Sequence, residues 1–408
     1  MFSFWVAFCL LGIDGRKRAS FGLAQKQQHR DAHTSPSDFL SDRRILVKSS
    51  PWVRPGRGIL PLQIVRGANP SVRTQLSKNK LLPEATLASL DHIFSLSDDV
   101  FISLARNTTT LSTSARALLN NWETLSLEDR HRVRNKIAAE KRASTPLDPL
   151  SDLHILHYDS DVCVVNKPSG VLSVPGPRRN PSVAQLVFDI VGTTNGTDID
   201  QMVVHRLDMD TSGVLMFALN TRALSRLHDD FRGRRVKKTY QALLVGHLHH
   251  PEVEIEIDLE RDPLHVPFMR AAQPKSEREE PHLHPSFRKM MKQAPKPSKT
   301  ELRVLAWEYL KDTTFPVTRV ELVPHTGRTH QLRVHCAALG FPIVGDDIYG
   351  YYKAAGDCGI PRDSSDIAMQ VHRHIHQLQI PLCLHAKELS FFHPRTGAPV
   401  MFHCEPPF

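Results

Sequence analysis

An α+β fold is what the sequence predicts from about residue 150 onward. It is a mixed, largely antiparallel β-sheet with flanking helices, placed behind a helical N-terminal extension. Two observations predict it. After Pro146, short runs rich in apolar and β-branched residues recur, among them Val162–Val165, Val214–Leu219, Tyr240–Val245 and Val317–Val323, and several are separated by turn-length polar segments that favour hairpins. Helical periodicity is interspersed among those strands rather than alternating with them regularly, which separates this class from a parallel α/β sheet.

The elements follow in order. Residues 1–36 begin with an apolar stretch, Phe2 to Gly12, without a basic leader. Arg16 to Arg18 and Lys26 to Arg30 follow, with few acids. This resembles an organellar targeting segment, mitochondrial or plastid; a misassigned start or a disordered tail on a cytoplasmic protein is the alternative. Residues 37–82 are rich in Pro, Gly, Ser and Arg, lack periodicity, and read as a disordered linker. Residues 83–145 read as the helical extension. Leu87, Leu90 and Phe94 share one face, as do Leu118, Trp122 and Leu125, and Ser126-Leu127-Glu128-Asp129 has the form of a capping box. Its expected role is a packing arm against the main domain, with an RNA-binding accessory as the other reading.

The main domain spans residues 150–408. Ile155–Tyr158 and Val162–Val165 make a hairpin across Asp159-Ser160-Asp161. Asn220 caps a helix whose buried stripe is Leu224, Leu227 and Phe231. Residues 252–260 alternate acidic and apolar, a half-exposed strand with an acidic outer face. Residues 261–299 are polar with scattered Pro and His, and read as an inserted loop. Glu301–Tyr309 and Val317–Val323 are two more strands. Thr329 then caps a helix through Leu332, Cys336 and Leu339, stopped by Gly340 and Pro342.

With 408 residues and 40% hydrophobic content, the chain can bury one or two cores. Its net charge of +9 resides in residues 1–150, which hold 22 basic and 13 acidic side chains; residues 151–408 hold 30 of each. Affinity for a polyanion must therefore come from local clusters. Arg232, Arg234, Arg235, Lys237 and Lys238 form one, and they are expected to hold phosphates; a solvated helix end is the plainer reading. The six cysteines form no Cys-x-x-Cys pair, which suits a reducing compartment. No apolar run has the length of a membrane-spanning helix. The histidine groups His247/His249/His250 and His372/His374/His376 lack the neighbours of a metal site and read as solvated.

The most informative segment is His205-Arg206-Leu207-Asp208-Met209-Asp210-Thr211-Ser212-Gly213. It lies between two apolar runs, Met202–Val204 and Val214–Leu219, that read as buried strands. A polar loop held by a rigid sheet is a common place for reactive groups. A structural Arg206–Asp208 ion pair would produce the same spacing.

The segment also resembles the catalytic loop of the RluA-type RNA pseudouridine synthases. Five further blocks occur in that family's order: Val162–Gly170 with Asn166-Lys167-Pro168, Lys237-Lys238-Thr239-Tyr240, Thr326–His335, Gly340–Asp346, and Leu384-His385-Ala386. The resemblance implies one sheet with a central RNA-binding cleft. It implies Asp208 as the catalytic carboxylate, Tyr240 as the active-site tyrosine, and Arg333 as the arginine paired with Asp208. His205, Arg206, Thr211 and Arg328 are expected to contact substrate, with bracing of the loop as the other reading of His205 and Arg206. The small RNA-binding domain carried ahead of the catalytic region by many members is not found here. The implied partner is ribosomal or transfer RNA, bound by a monomer away from membranes.

The implied reaction breaks the N1–C1′ bond of a uridine and rejoins the uracil through C5, so it calls for no cofactor and no metal. Two rivals stand beside it. A nucleosidase or glycosidase would use Asp208 with a second carboxylate such as Asp210; on an extended segment those two would point apart. A non-catalytic RNA-binding protein would keep the fold alone.

Overall fold

The computed structural model describes residues 45–47, 96–107, 111–141, 153–175, 180–193, 198–273, 284–285, 287, 293–350, 375 and 378–408. Ile45–Val47 (β1) comes first. A helical arm follows: Asp98–Arg106 (α1), Thr113–Asn120 (α2) and Leu127–Lys141 (α3). The main domain starts with His154–Tyr158 (β2), Val162–Lys167 (β3) and Val183–Val191 (α4). Ser212–Ala218 (β4), Thr221–Arg232 (α5) and Lys237–Val245 (β5) come next. Then come Glu252–Glu256 (β6), Leu259–Arg261 (β7), Met269–Ala271 (β8), Lys299–Tyr309 (β9) and Pro316–Pro324 (β10). Gln331–Ala338 (α6), Leu384–Phe392 (β11) and Pro399–His403 (β12) close the series.

Among the described residues ten strands form one sheet, ordered β1-β6-β9-β10-β5-β11-β4-β3-β2 with β12 on β11. All neighbours are antiparallel except β11 and β4, which run parallel through His385↔Ser212 and Ala386↔Gly213. The expected mixed, largely antiparallel α+β sheet is present.

Strand periodicity divides the core. Val162 and Val164 of β3, with Val214 and Met216 of β4, pack on Ala223 and Leu227 of α5. Cys163, Val165, Leu215 and Phe217 point to the opposite face, against Val183, Ala184 and Val187 of α4. Two covered faces explain why these strands read as continuous apolar runs. Asn220 caps α5 by accepting the Ala223 N–H at 2.8 Å, as expected. Ser126 accepts the Asp129 N–H at 3.1 Å at the start of α3.

Several expectations change. Ile45–Val47 lie within the segment read as linker, yet they pair with Val253–Ile255 of β6; a short apolar tripeptide suffices to extend a sheet edge. Residues 252–260 are not one strand, because the chain leaves the sheet after Glu256 and β7 pairs with β8 in a separate ribbon. That ribbon and the buried Val266, Phe268 and Phe287 lie in or beside the stretch expected to be a polar loop. Met202 ends a 3-10 turn, Ile199–Met202, and Val203 makes only an isolated bridge to Phe217, so Met202–Val204 is not a strand. Residues 1–36 and the Leu87–Leu90–Phe94 face lie outside the described residues.

The arm docks on the β7–β8 ribbon. Buried Arg132 donates from Nε to the Pro263 carbonyl at 2.6 Å and from Nη1 to Asp129 at 2.8 Å. Asn135 reaches the Leu264 carbonyl at 3.5 Å, and the His131 and His265 rings meet edge-on at 5.3 Å. The arm packs on the main domain, as the sequence favoured.

Candidate active site

A cleft of about 770 Å³ opens on the sheet, a volume in the range of ordinary ligand sites. Its lining includes Asp208, Tyr240, Arg333, His330, Arg328 and Lys238. Ala139 of α3 and Arg261, Pro267 and Phe268 of the ribbon supply one wall.

Asp208 is half-buried, with 31% of its side chain exposed. The loop that carries it is tied at three carbonyls by the last residue of β3 and the segment after it. Ser173 Oγ donates to the Leu207 carbonyl at 2.7 Å and accepts the Leu207 N–H at 3.1 Å. Lys167 Nζ donates to the Met209 carbonyl at 2.8 Å, and Ser169 Oγ to that of Asp210 at 2.6 Å. The Thr211 N–H closes a turn onto the Asp208 carbonyl at 3.1 Å. The segment is therefore a turn, not the extended stretch used above to set Asp208 and Asp210 on opposite sides. Lys167 is fully buried; burial pulls its ammonium down to about 7, against the opposing charges of Asp210 and Asp208. These tethers fix the backbone and leave the Asp208 carboxylate facing the cleft.

Gly213 follows at φ +114°, where a Cβ would stand 2.3 Å from the Ala386 carbonyl oxygen. A glycine is required there for β4 and β11 to approach. His385 secures the same junction, with Nδ1 2.8 Å from Ser212 Oγ and Nε2 3.1 Å from the Cys404 carbonyl.

Tyr240 lies on β5. Burial and the charge of Asp208 both push its phenol above the ordinary range, which keeps it neutral and places it within electrostatic reach of the carboxylate. Thr211 Oγ1 is buried beside the cleft with no hydrogen-bond partner in the structure. Arg206 is exposed at the cleft. His205 lines it too, but Nε2 accepts the Met216 N–H at 3.1 Å and the ring stacks on Phe231 at 5.2 Å. Burial, then the Lys238 charge, lowers its pKa to about 3. His205 is a neutral brace.

Arg333 departs most from expectation. It is buried and bidentate on Asp346, Nε–Oδ2 2.8 Å and Nη2–Oδ1 2.7 Å. No ion pair joins it to Asp208 among the described residues. The side chain that faces Asp208 is instead His330, with Nε2 3.9 Å from Oδ1. Asp208 still contributes to the electrostatic field that raises the Arg333 pKa. The sequence offered two carboxylates near α6 in Asp346-Asp347, and either could have claimed the guanidinium.

The structure spreads the basic cluster over different surroundings. Arg232 pairs with Asp229 at 2.7 Å and Arg235 with Asp230 at 2.6 Å. Arg234 and Lys237 are exposed and outside the cleft lining. Lys238 alone of the five lines the cleft, its pKa lowered by burial. Arg328 lines the cleft with its Nε on the Pro297 carbonyl at 3.1 Å. Thr329 does not cap α6; His330 occupies that position in left-handed backbone, φ 54° and ψ 22°, without a side-chain capping bond. Sequence reading passed over His330, Tyr349 and Asp346.

Among the described residues one His/carboxylate group has metal-like spacing, Asp159, Asp161 and His393. Its oxygens are taken: Asp159 accepts from the Asp161 and Val162 N–H groups and from His393, and Asp161 is held by Arg395 and Asn220. It ties two turns together. His247 Nε2 lies 3.0 Å from the Glu308 carbonyl, and His372, His374 and His376 lie outside the described residues.

Residues 161–338 match the family model described as RNA pseudouridylate synthase. The chain is 37% identical over 265 residues to the dual-specificity RNA pseudouridine synthase RluA of Pasteurella multocida (strain Pm70), covering 64% of this chain and 96% of that protein. The protein of the same name from Escherichia coli (strain K12) is 36% identical over 251 residues, covering 61% and 91%. Human RNA pseudouridylate synthase domain containing 1, a solved structure, is 30% identical with a TM-score of 0.46, covering 65% of this chain and 87% of that one.

Proposed function

Since the chain belongs to the RluA-type family of RNA pseudouridine synthases, we propose that Asp208 is its catalytic carboxylate and that the cleft around it receives a uridine extruded from RNA. The chain is an isomerase that converts uridine in RNA to pseudouridine. The reaction breaks N1–C1′ and forms C5–C1′, while the C5 proton is lost and N1 gains one. A carboxylate beside the ribose can attack C1′ or take a proton from C2′. The observation that carries the assignment is the tethering of carbonyls 207, 209 and 210, which presents this carboxylate to a cleft shared with Tyr240.

Tyr240 supplies a ring on which uracil stacks and a neutral phenol, a stronger hydrogen-bond donor than a base. Thr211 Oγ1, buried without a partner, is suited to a substrate polar atom. Arg206 stands where a side chain inserted into the RNA stack would offset part of the extrusion cost, a few kcal/mol. Lys238 regains a partner for its charge when a phosphate approaches. The Arg333 charge acts on Asp208 through space, while its hydrogen bonds hold the turn bearing Asp346.

We infer that the RNA is ribosomal, transfer, or both. The relatives are named dual-specificity RNA pseudouridine synthases, which supports a site that accepts more than one RNA. Shape readout of a folded RNA needs a broad contact surface, and the wall formed by α3 and the β7–β8 ribbon extends the cleft on one side. Mapping pseudouridine across cellular and organellar RNA with and without the protein tests this. Loss of discrete ribosomal or transfer RNA sites names the substrate, and an unchanged map rejects it. Retention of the uracil through a C–C glycosidic bond excludes the nucleosidase rival.

A further inference from the structure

We propose that His330 is a positioning residue of the isomerisation, its imidazole pinned by Tyr349 so that it orients the Asp208 carboxylate. The inference rests on Asp208 being the catalytic group. It begins with a backbone anomaly. His330 sits at φ 54° and ψ 22°, left-handed backbone that Gly adopts readily and that is uncommon for other residues. Its side chain makes no capping bond to α6, so helix initiation does not account for a histidine here. Strained positions of this kind gather at functional sites because the surroundings over-determine them.

The imidazole spans two environments. On one side Nδ1 lies 2.7 Å from the hydroxyl of Tyr349. Tyr349 is fully buried, and its hydroxyl also accepts the Met269 N–H at 3.1 Å. Its own N–H and that of Ile348 bind Asp346 Oδ1, each at 2.9 Å, and Asp346 is gripped by Arg333. The Arg333 guanidinium lies 5.2 Å from the Tyr349 ring centroid. On the other side Nε2 faces Asp208 Oδ1 at 3.9 Å, with both side chains lining the cleft. One edge of the ring is thus fixed to the buried core and the other turned to a half-exposed carboxylate. That spacing exceeds a hydrogen bond, and contacts of this sort shorten when substrate fills a site. Partners that orient the ligands of a metal site are typically worth about 10- to 100-fold in activity, and an oriented carboxylate is expected to follow the same scale.

His330→Gly and His330→Asn test this, because both accept the left-handed backbone. The expected result for each is a kcat lower by about tenfold or more, with KM for RNA within about twofold and a melting temperature near that of the parent, since relief of left-handed strain offsets the lost Tyr349 hydrogen bond. Tyr349→Phe keeps the ring beside Arg333 and removes the hydroxyl; it should lower kcat in the same direction. Combined with His330→Gly it should add little further loss, as expected of residues acting through one contact. Parent-like kcat in both His330 variants, a loss confined to KM, or a melting collapse in both would overturn the proposal, as would full additivity with Tyr349→Phe. Asp208→Asn is assayed in parallel. If it stays active the Asp208 assignment fails, whereas an inactive Asp208→Asn beside a fully active His330→Gly rejects the His330 inference alone.

Discussion

Arg333 holds Asp346 through two charge-assisted hydrogen bonds, 2.8 and 2.7 Å long, with 2% and 0% of the two side chains exposed. Removing one member of a buried pair leaves the other charge uncompensated, typically at a cost of about 3–5 kcal/mol. Arg333→Ala should therefore lower the urea midpoint strongly, and Arg333→Lys should not restore it, because a single ammonium cannot reproduce the two-pronged contact. Lost activity with an unchanged midpoint would mean that Arg333 acts on Asp208 alone.

Asp208→Asn keeps the size and removes the charge. Turnover should fall by about 10³-fold or more, while RNA affinity in a filter-binding or fluorescence assay stays near that of the parent. Substantial residual isomerisation would contradict the assignment.

At Tyr240 the ring should matter more than the hydroxyl, since burial and the neighbouring Asp208 charge keep the phenol protonated. Tyr240→Phe should retain RNA affinity and lose less kcat than Tyr240→Ala, which also removes the stacking surface. Equal losses in the two variants would place the whole contribution in the hydroxyl.

Gly213→Ala would drive a Cβ to 2.3 Å from the Ala386 carbonyl oxygen at a φ of +114°. Overpacking and left-handed strain act together there, and a loss of roughly 3 kcal/mol or more is expected. A parent-like melting curve would show that β11 can move away from β4.

Acid should weaken the fold before it touches any carboxylate. Burial lowers His205 to about 3, and His335 and His385 to about 4, from an ordinary 6.5. As pH falls below 6.5 the unfolded chain takes up these protons while the folded one does not, so stability is full above 6.5 and declines toward 4. Urea midpoints at about pH 7.5 and about pH 5 check this; equal midpoints would reject it.

The parts of the molecule legible in sequence are those governed by short-range rules. Asn220 capping α5, the hairpin at Asp159–Asp161 and the helix stop at Gly340 each depend on neighbours within a few residues. The two-faced burial of β3 and β4 was visible as unbroken apolar runs. Partner choice was not visible. Arg333 had Asp208, Asp346 and Asp347 as candidates, and only the turn after α6, where Asp346 also binds two N–H groups, selects among them. Lys167 looked like an ordinary turn lysine until the fold placed the Met209 carbonyl over it. Thr329 had the right chemistry for a cap, but the backbone bends one residue later, at His330. The β7–β8 ribbon escaped because its apolar residues are scattered among polar ones.

The order of strands places the two halves of the cleft on either side of a strand that is made late. Asp208 precedes β4 and Tyr240 sits on β5, and the strand lying between them is β11, residues 384–392. A ribosome that has delivered the chain through residue 380 has made both halves of the cleft without the piece that joins them. The nascent protein should stay inert toward RNA until β11 slides into place between β4 and β5.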